Sequence, residues 1–330
     1  MTASGDPIPL ILLTGFLGSG KTTLLNALLR DPAMTGTAVL INEVGEIGID
    51  HSLVVGASDE ILLLEGGCLC CQPKGGVAEG ISRLLDLPAP PSRIVIETSG
   101  AANPVPILET ISQHPLAAKA FQFPCVVTVV DCLFGRSTLQ NHIEARFQVS
   151  AADILVLGKA DIASQEDRLA IENIIKKENA TGKSVDAKFE MLPNGFIELL
   201  KEGTQASAAR VLPELEDGGV HGETEFVTAG ASFHGRLTAE AVQRWLDRVL
   251  ESYGGNILRI KGILQLEEFD QPAILQSVRD IVHPLQLLNQ QTQETDRNSI
   301  VAIGWDMHPE LLQEEIDNLV DQASGNTGQS

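Results

Sequence analysis

The chain has 330 residues, which at about 150 residues per domain is enough for two domains. It carries 23 Lys and Arg against 44 Asp and Glu, a net charge of −21, which excludes attraction to nucleic-acid phosphates or anionic lipid through a global basic field. Apolar residues at 43% exclude a disordered chain, and aromatics at only 4% leave the core to Leu, Ile, Val and Ala.

In chain order, Ile8 to Thr14, Ala38 to Asn42, Ile61 to Glu65, Arg93 to Glu97, Val126 to Asp131 and Ile154 to Leu157 are apolar runs of strand length. Each lies near a Gly, Pro, Asn or Asp break. Their hydrophobicity is nearly continuous, the pattern of strands buried on both faces of a parallel sheet. Segments long enough for crossover helices separate them. Residues 1–202 therefore read as an α/β domain with a doubly wound, mostly parallel sheet. Residues 203–223 turn to Gly, Ala, Ser and acids without periodicity, as linkers do. Residues 224–330 read as a smaller α+β domain. There Thr238 is placed to cap a helix whose Val242, Trp245, Leu246, Val249 and Leu250 form one apolar face. β-like runs follow at Ile257 to Leu266, around Ile281 to Leu288, and at Ser299 to Ile303. A last helix opens at Pro309 and presents Leu312, Ile316, Leu319 and Val320 to the core.

The five cysteines are too few, and odd in number, for a disulfide-stapled secreted domain, so a reducing compartment is expected. The Ile8 to Leu13 run is far too short to span a bilayer, and no signal peptide or transmembrane helix is expected. The cytoplasm is the expected location.

Gly15-Phe16-Leu17-Gly18-Ser19-Gly20-Lys21-Thr22 fits G-x-x-x-x-G-K-[ST] directly after the first strand and before the helical run Thr23 to Leu29. In such a loop, glycines let backbone N–H groups turn inward on phosphate oxygens. Lys21 reaches the β- and γ-phosphates, and Thr22 offers a hydroxyl to Mg²⁺. Gly15, Gly18, Ser19, Gly20, Lys21, Thr22 and Thr23 are thus the candidate nucleotide-binding residues. The fourth strand ends Glu97-Thr98-Ser99-Gly100. An acid there can hold Mg²⁺ or orient the attacking water, and Gly100 can bring a backbone N–H to the γ-phosphate. Lys21, Glu97 and Gly100 are the candidate catalytic residues, with Thr22 and Glu97 for magnesium.

Gly66-Gly67-Cys68-Leu69-Cys70-Cys71 follows the third strand. Three thiolates on a short loop form most of a tetrahedral shell for Zn²⁺, leaving a fourth position for a carboxylate, water or a partner's ligand. The alternatives are small residues packed beneath a loop, or a redox pair. Cys125 and Cys132 lie apart and read as strand-core residues.

These residues resemble the CobW-like family of P-loop GTPases, relatives of the nickel-enzyme maturation GTPases HypB and UreG. The resemblance rests on Gly15 to Thr23, Asn42-Glu43-Val44-Gly45-Glu46, the CxCC motif Cys68 to Cys71, and Glu97 to Gly100 continuing to Pro104. It extends to Leu258-Arg259-Ile260-Lys261-Gly262 and Ser299 to Gly304 in the second domain. It implies a GTP-hydrolysing metallochaperone or metal insertase that binds a divalent ion on Cys68, Cys70 and Cys71 and passes it to a client metalloprotein. Zinc is the expected ion, with cobalt or iron as the alternatives, and Glu46 is a candidate fourth ligand or switch residue. GTP, Mg²⁺ and Zn²⁺ are the expected cofactors. A monomer or homodimer without nucleic-acid or membrane partners is expected.

The base site departs from the usual pattern. Where P-loop GTPases carry N-K-x-D, this chain has Gly158-Lys159-Ala160-Asp161. Lys159 remains to lie over the base and Asp161 to accept from guanine N1 and N2, a pair of donors that adenine lacks. The family's acid before proline is Asn103 here, and its histidine-rich interdomain stretch is absent. The histidines are scattered, so none is assigned to metal, His221 in the linker being the nearest to a candidate. A small-molecule kinase, or a metal-free GTP switch that holds a partner through the lobe with Trp245 and Arg259, would use the same phosphate loop. The kinase reading leaves the cysteine triad without a role.

Overall fold

A computed structural model of the chain describes residues 7–42, 62–65, 76–87, 89–179, 181–188, 191–204, 226–288 and 297–325. The chain divides into two compact units, Met1–Ile174 with Lys183–Thr204, and Ile175–Gly182 with Gln205–Ser330. No described helix is long and apolar enough to cross a membrane.

Up to residue 204 the chain alternates strands and helices. In order these are β1 (Leu10–Gly15), α1 (Lys21–Leu29), β2 (Thr37–Asn42), β3 (Leu62–Glu65), α2 (Gly76–Leu85), β4 (Arg93–Thr98), α3 (Pro104–Gln113) and α4 (Ala117–Ala120). They continue as β5 (Cys125–Asp131), α5 (Gly135–Asn141), α6 (Ile143–Ser150), β6 (Ile154–Gly158), α7 (Gln165–Glu178), β7 (Lys183–Asp186) and α8 (Phe196–Thr204). The strands form one seven-stranded sheet in the order β3-β2-β4-β1-β5-β6-β7, and every neighbouring pair is parallel.

β1 and β5 are buried along their whole length, as near-continuous hydrophobic runs should be in a sheet covered on both faces. On one face Leu24, Leu25 and Leu28 of α1 and Phe196 and Leu200 of α8 pack on Ile11, Leu13, Val127 and Val156. Each such side chain contributes about 1.5–3 kcal/mol by leaving water. On the other face α2 lies so close that a Cβ on Gly80 would meet the Leu40 side chain at 2.7 Å, and α6 packs against β1 and β5. After β1 the chain crosses to β2, on the β4 side, whereas after β5 it crosses to β6 on the other. The order therefore reverses between β1 and β5, and the crevice at their carboxyl ends is where ligands of such sheets bind.

β7 is absent from the sequence reading. Its Lys-Ser-Val-Asp sequence is polar and largely exposed, since it is an edge strand with only β6 beside it.

The second unit holds β8 (Phe226–His234), α9 (Ala239–Tyr253), β9 (Ile257–Leu264), β10 (Ala273–Val278), β11 (Ile281–Val282), β12 (Gln286–Leu287), β13 (Arg297–Trp305) and α10 (Pro309–Gly325). The antiparallel sheet runs β11-β10-β9-β13-β8, with β12 also paired to β10. The Thr238 hydroxyl caps α9 by accepting from the Ala241 amide at 3.1 Å. Val242, Trp245, Leu246 and Val249 pack with Leu312, Ile316 and Leu319 of α10 over β8, β9 and β13. The fully buried Trp245 indole donates to the Glu315 carbonyl at 2.6 Å.

Two strands here also depart from expectation. β8 is rich in Ala, Gly and Ser, so its propensity is weak, and it forms by pairing along its length with β13. Strand structure expected around Ile281 to Leu288 lies chiefly at Ala273–Val278, leaving two-residue strands at β11 and β12. The expected linker falls largely, from residue 205 on, outside the described residues.

Candidate functional site

The loop between β1 and α1 stands at the β1–β5 crevice. Gly18 and Gly20 have φ of 73° and 104°, a left-handed path that turns the loop into the first turn of α1. The Ser19 amide donates to the Phe16 carbonyl at 3.1 Å, closing the loop, and the Leu24 amide to the Gly20 carbonyl at 3.0 Å. The helix N-terminus adds its partial positive charge. Lys21 is buried, and its Nζ donates back to the Phe16 carbonyl at 3.3 Å, so the ammonium spans the loop. The Ser19 hydroxyl is buried without a hydrogen-bond partner among the described residues. Backbone amides, one ammonium and an uncommitted hydroxyl suit a polyphosphate.

Sheet register brings Glu97 to this loop. Glu97 pairs with Leu13 of β1 on one side and Ile41 of β2 on the other. A buried hydrogen bond from Thr98 Oγ1 to Thr14 Oγ1, 2.8 Å, ties the two strand ends together. Glu97 is itself buried, and its Oε1 accepts from the Thr22 hydroxyl at 2.9 Å. A hydroxyl and a carboxylate converging at that distance are hard oxygen donors, which fit Mg²⁺ and not a soft ion. Gly100 is pressed against the loop: a Cβ there would lie 2.8 Å from the Leu17 nitrogen and 2.9 Å from its Cα, a space only hydrogen fills. Thr22 and Glu97 thus meet directly, and Gly100 lies against the loop that Lys21 closes.

Next to the loop is a cavity of about 300 Å³ lined by residues including Gly20, Thr23, Gly158, Lys159, Asp161 and Lys188. Lys159 has φ of 59° and ends the strand in a left-handed turn, to which the amides of Ile162 and Ala163 donate through the Lys159 carbonyl. Its ammonium meets Asp131 Oδ2 at 2.5 Å. Asp131 Oδ1 accepts in turn from the amides of Leu133, 2.7 Å, and Phe134, 3.2 Å. Lys159 is therefore held by an acid that the sequence reading took only as the end of a strand. The signal existed, because Asp131 is an acid at the carboxyl end of a buried strand, as Glu97 is.

Gly158, where the pattern departs, is closely packed. A Cβ there would stand 2.8 Å from the Ser19 carbonyl oxygen and 3.3 Å from Val129 Cγ1. The backbone of the phosphate loop thus stands where a Cβ at this position would come.

Gln148 of α6 is a second residue missed from the sequence, where nothing distinguishes it from any helical glutamine. It is 1% exposed, and its amide nitrogen donates to the carbonyls of Gly100 and Ala102 at 3.1 and 2.9 Å.

Cys68, Cys70, Cys71, Glu43 and Glu46 lie outside the described residues, as does His221. Register places the strands that lead to them at one edge: Asn42 pairs with Thr98, and Glu65, the last residue of β3, with Ile41. Among the described residues no group of three or more His, Cys, Asp or Glu could hold a metal. Cys125 and Cys132 are buried, and burial with the neighbouring Asp131 charge pushes the Cys132 thiol up to about 11. That thiol stays protonated at neutral pH and is a poor metal ligand.

Residues 9–186 match the family described as CobW/HypB/UreG, nucleotide-binding domain, and residues 226–320 match the cobalamin synthesis protein cobW C-terminal domain. The chain is 34% identical over 194 residues to zinc-regulated GTPase metalloprotein activator 1 of Schizosaccharomyces pombe, covering 57% of this chain and 47% of that protein. It is 34% identical over 168 residues to the zinc chaperone YjiA of Escherichia coli, covering 50% of this chain and 53% of that one. These matches span about half the length of each of the two relatives. The crystal structure of Zn(II)-bound YjiA GTPase from E. coli superposes with a TM-score of 0.71 at 21% identity, over 95% of this chain and 99% of that one. At that identity the likeness is one of fold.

Proposed function

Because the chain belongs to the CobW/HypB/UreG family, we propose that it hydrolyses GTP and uses the cycle to carry a divalent transition metal, zinc, to a client metalloprotein. The observation that carries this reading is the convergence of Lys21, Thr22 and Glu97 on the phosphate loop, with the Thr22 hydroxyl 2.9 Å from Glu97. The names of the relatives, a zinc chaperone and a zinc-regulated GTPase activator, support the cargo.

In this proposal the loop amides and Lys21 hold the triphosphate, the ammonium exchanging the Phe16 carbonyl for phosphate oxygens. Thr22 and Glu97 are the residues that would hold Mg²⁺, which when bound neutralises charge on the β- and γ-phosphate oxygens. Glu97 orients a water in line with the γ-phosphorus. A bond from that water's oxygen to phosphorus forms as the bond to the β-phosphate oxygen breaks, giving GDP and phosphate. The Gly100 amide meets the γ-phosphate in this proposal, a role supported by the close approach of Gly100 to Leu17 of the loop. Lys159 covers the base, and Asp161 accepts from guanine in the adjoining cavity.

Cys68, Cys70 and Cys71 hold the cargo as thiolates, with Glu46 as fourth ligand or switch residue. Both segments follow strands, β2 and β3, whose ends flank Glu97 or its neighbour on one sheet edge. GTP and magnesium ordering that edge would close the shell, and hydrolysis would loosen it. The GTPase domain then extends over 1–202 and joins a C-terminal domain at 224–330 through the 203–223 linker.

The test combines two measurements. Free phosphate should form from GTP without an acceptor, and Lys21→Ala should abolish it while the circular-dichroism spectrum is unchanged; full turnover in that variant refutes the site. One equivalent of Co²⁺ should give a thiolate-to-cobalt charge-transfer band that changing Cys68, Cys70 and Cys71 to Ser removes. Equal metal affinity in GTP and GDP would sink the coupling.

A further inference from the structure

Three groups meet where the β4 chain end touches the phosphate loop. Gly100 is in close approach to Leu17, Glu97 is bonded to Thr22, and the Gly100 and Ala102 carbonyls are both taken by the side-chain amide of Gln148. A primary amide has two N–H bonds, and here they go to two carbonyls of one turn. The α6 backbone is fixed at this residue, since the Gln148 main-chain carbonyl accepts from Thr128 Oγ1 of β5 at 2.7 Å. The turn is thus attached through the Gln148 side chain to α6, whose backbone at the same residue is bonded to β5. Gln148 and Leu17 also line one cavity of about 320 Å³, which continues past Asp131 to Lys159.

A glutamine buried in a helix–sheet interface is costly unless its polar atoms are matched, and a helix of this kind packs as well with an apolar residue. The geometry points to a task beyond packing. We propose that Gln148 is a positioning residue for the third phosphate. By fixing the Gly100–Ala102 carbonyls it holds the turn against Leu17 in the pose that distinguishes a nucleoside triphosphate from a diphosphate. Its role is exerted through the Gly100 and Ala102 carbonyls that it holds. This rests on the GTPase reading above.

The test uses the full chain and the variants Gln148→Met, which keeps length and loses the donors, and Gln148→Glu, which donates only when protonated. Affinities for GDP and for a non-hydrolysable GTP analogue are measured with kcat and KM. In Gln148→Met, kcat falls about 10- to 100-fold and the triphosphate-over-diphosphate preference about tenfold, while GDP affinity stays within about twofold. Gln148→Glu regains part of kcat as pH falls from 8 to 6, when the carboxyl takes up a proton and its one O–H donates to one of the two carbonyls. A merely structural glutamine would lower thermal stability and leave the preference ratio and that pH profile unchanged, and this outcome overturns the proposal. So does a parallel loss of GDP affinity. Should the variants not fold, hydrogen exchange on the native chain decides. Peptides covering 98–103 and 144–150 gain protection together when the analogue replaces GDP, and independent behaviour overturns the linkage. Absence of GTP turnover in the native chain would refute the functional reading, while the preference ratio still tests Gln148.

Discussion

Restoring the asparagine of N-K-x-D in this chain should weaken nucleotide binding. In Gly158→Asn the new Cβ arrives 2.8 Å from the Ser19 carbonyl oxygen, against the 3.4 Å at which ordinary contact begins, and 3.3 Å from Val129 Cγ1. The oxygen is backbone and sits in the loop between Gly18 and Gly20, so relief requires the phosphate loop itself to move. Overpacking of this kind costs about 1–3 kcal/mol. Because the loop is the part displaced, most of that cost falls on binding, and 1.4 kcal/mol corresponds to about tenfold in affinity. Nucleotide affinity should drop roughly 5- to 100-fold in Gly158→Asn, and Gly158→Ala, which adds only the Cβ, should lose nearly as much. Fluorescent GDP titration measures it, with thermal unfolding of the unliganded chain as the control for global damage. Affinity equal to or tighter than native in Gly158→Asn would refute the steric account and mean that the glycine is simply a lost asparagine.

Asp131→Asn keeps an acceptor for the Leu133 and Phe134 amides and removes the charge opposite Lys159. The ammonium is one-third exposed, so the pair is worth only about 1 kcal/mol, and KM for GTP should rise about fivefold with kcat little changed; steady-state kinetics would detect a kcat loss instead. Glu97→Gln retains a partner for Thr22 but loses the charge, and single-turnover hydrolysis should slow about 10²- to 10³-fold with GDP affinity preserved. In the second unit, burial and then the Arg259 charge push His283 down to about 4. The folded chain therefore keeps this imidazole neutral while the unfolded chain protonates it below about 6.5. Its part in stability is level above that pH and declines as pH falls from about 6.5 towards 4. Urea unfolding of native and His283→Gln chains across this window should show a shallower acid decline in the variant, and identical slopes would contradict the assignment.

The sequence by itself determined what depends on local chemistry. The phosphate loop is legible because glycines, a lysine and a threonine at fixed spacing have one well-known use, and β1, β4 and β5 because burial on both faces demands unbroken apolar runs. Thr238 and Pro309 mark α9 and α10 for the same reason, a cap and a start that act within one turn. What was not legible rests on neighbours distant in the chain. β7 is polar because it lies at an edge, β8 is a strand because β13 pairs with it, and β10 takes its place between β9 and two short strands from a later segment. At the site, only tertiary structure decided that Asp131 would hold Lys159, that Gln148 would clasp Gly100, and that the loop would fill the space beside Gly158. The physical reason is common to all three: parallel strands are joined by long crossovers, so residues that share the carboxyl edge are set by sheet order and register, which no local spacing encodes.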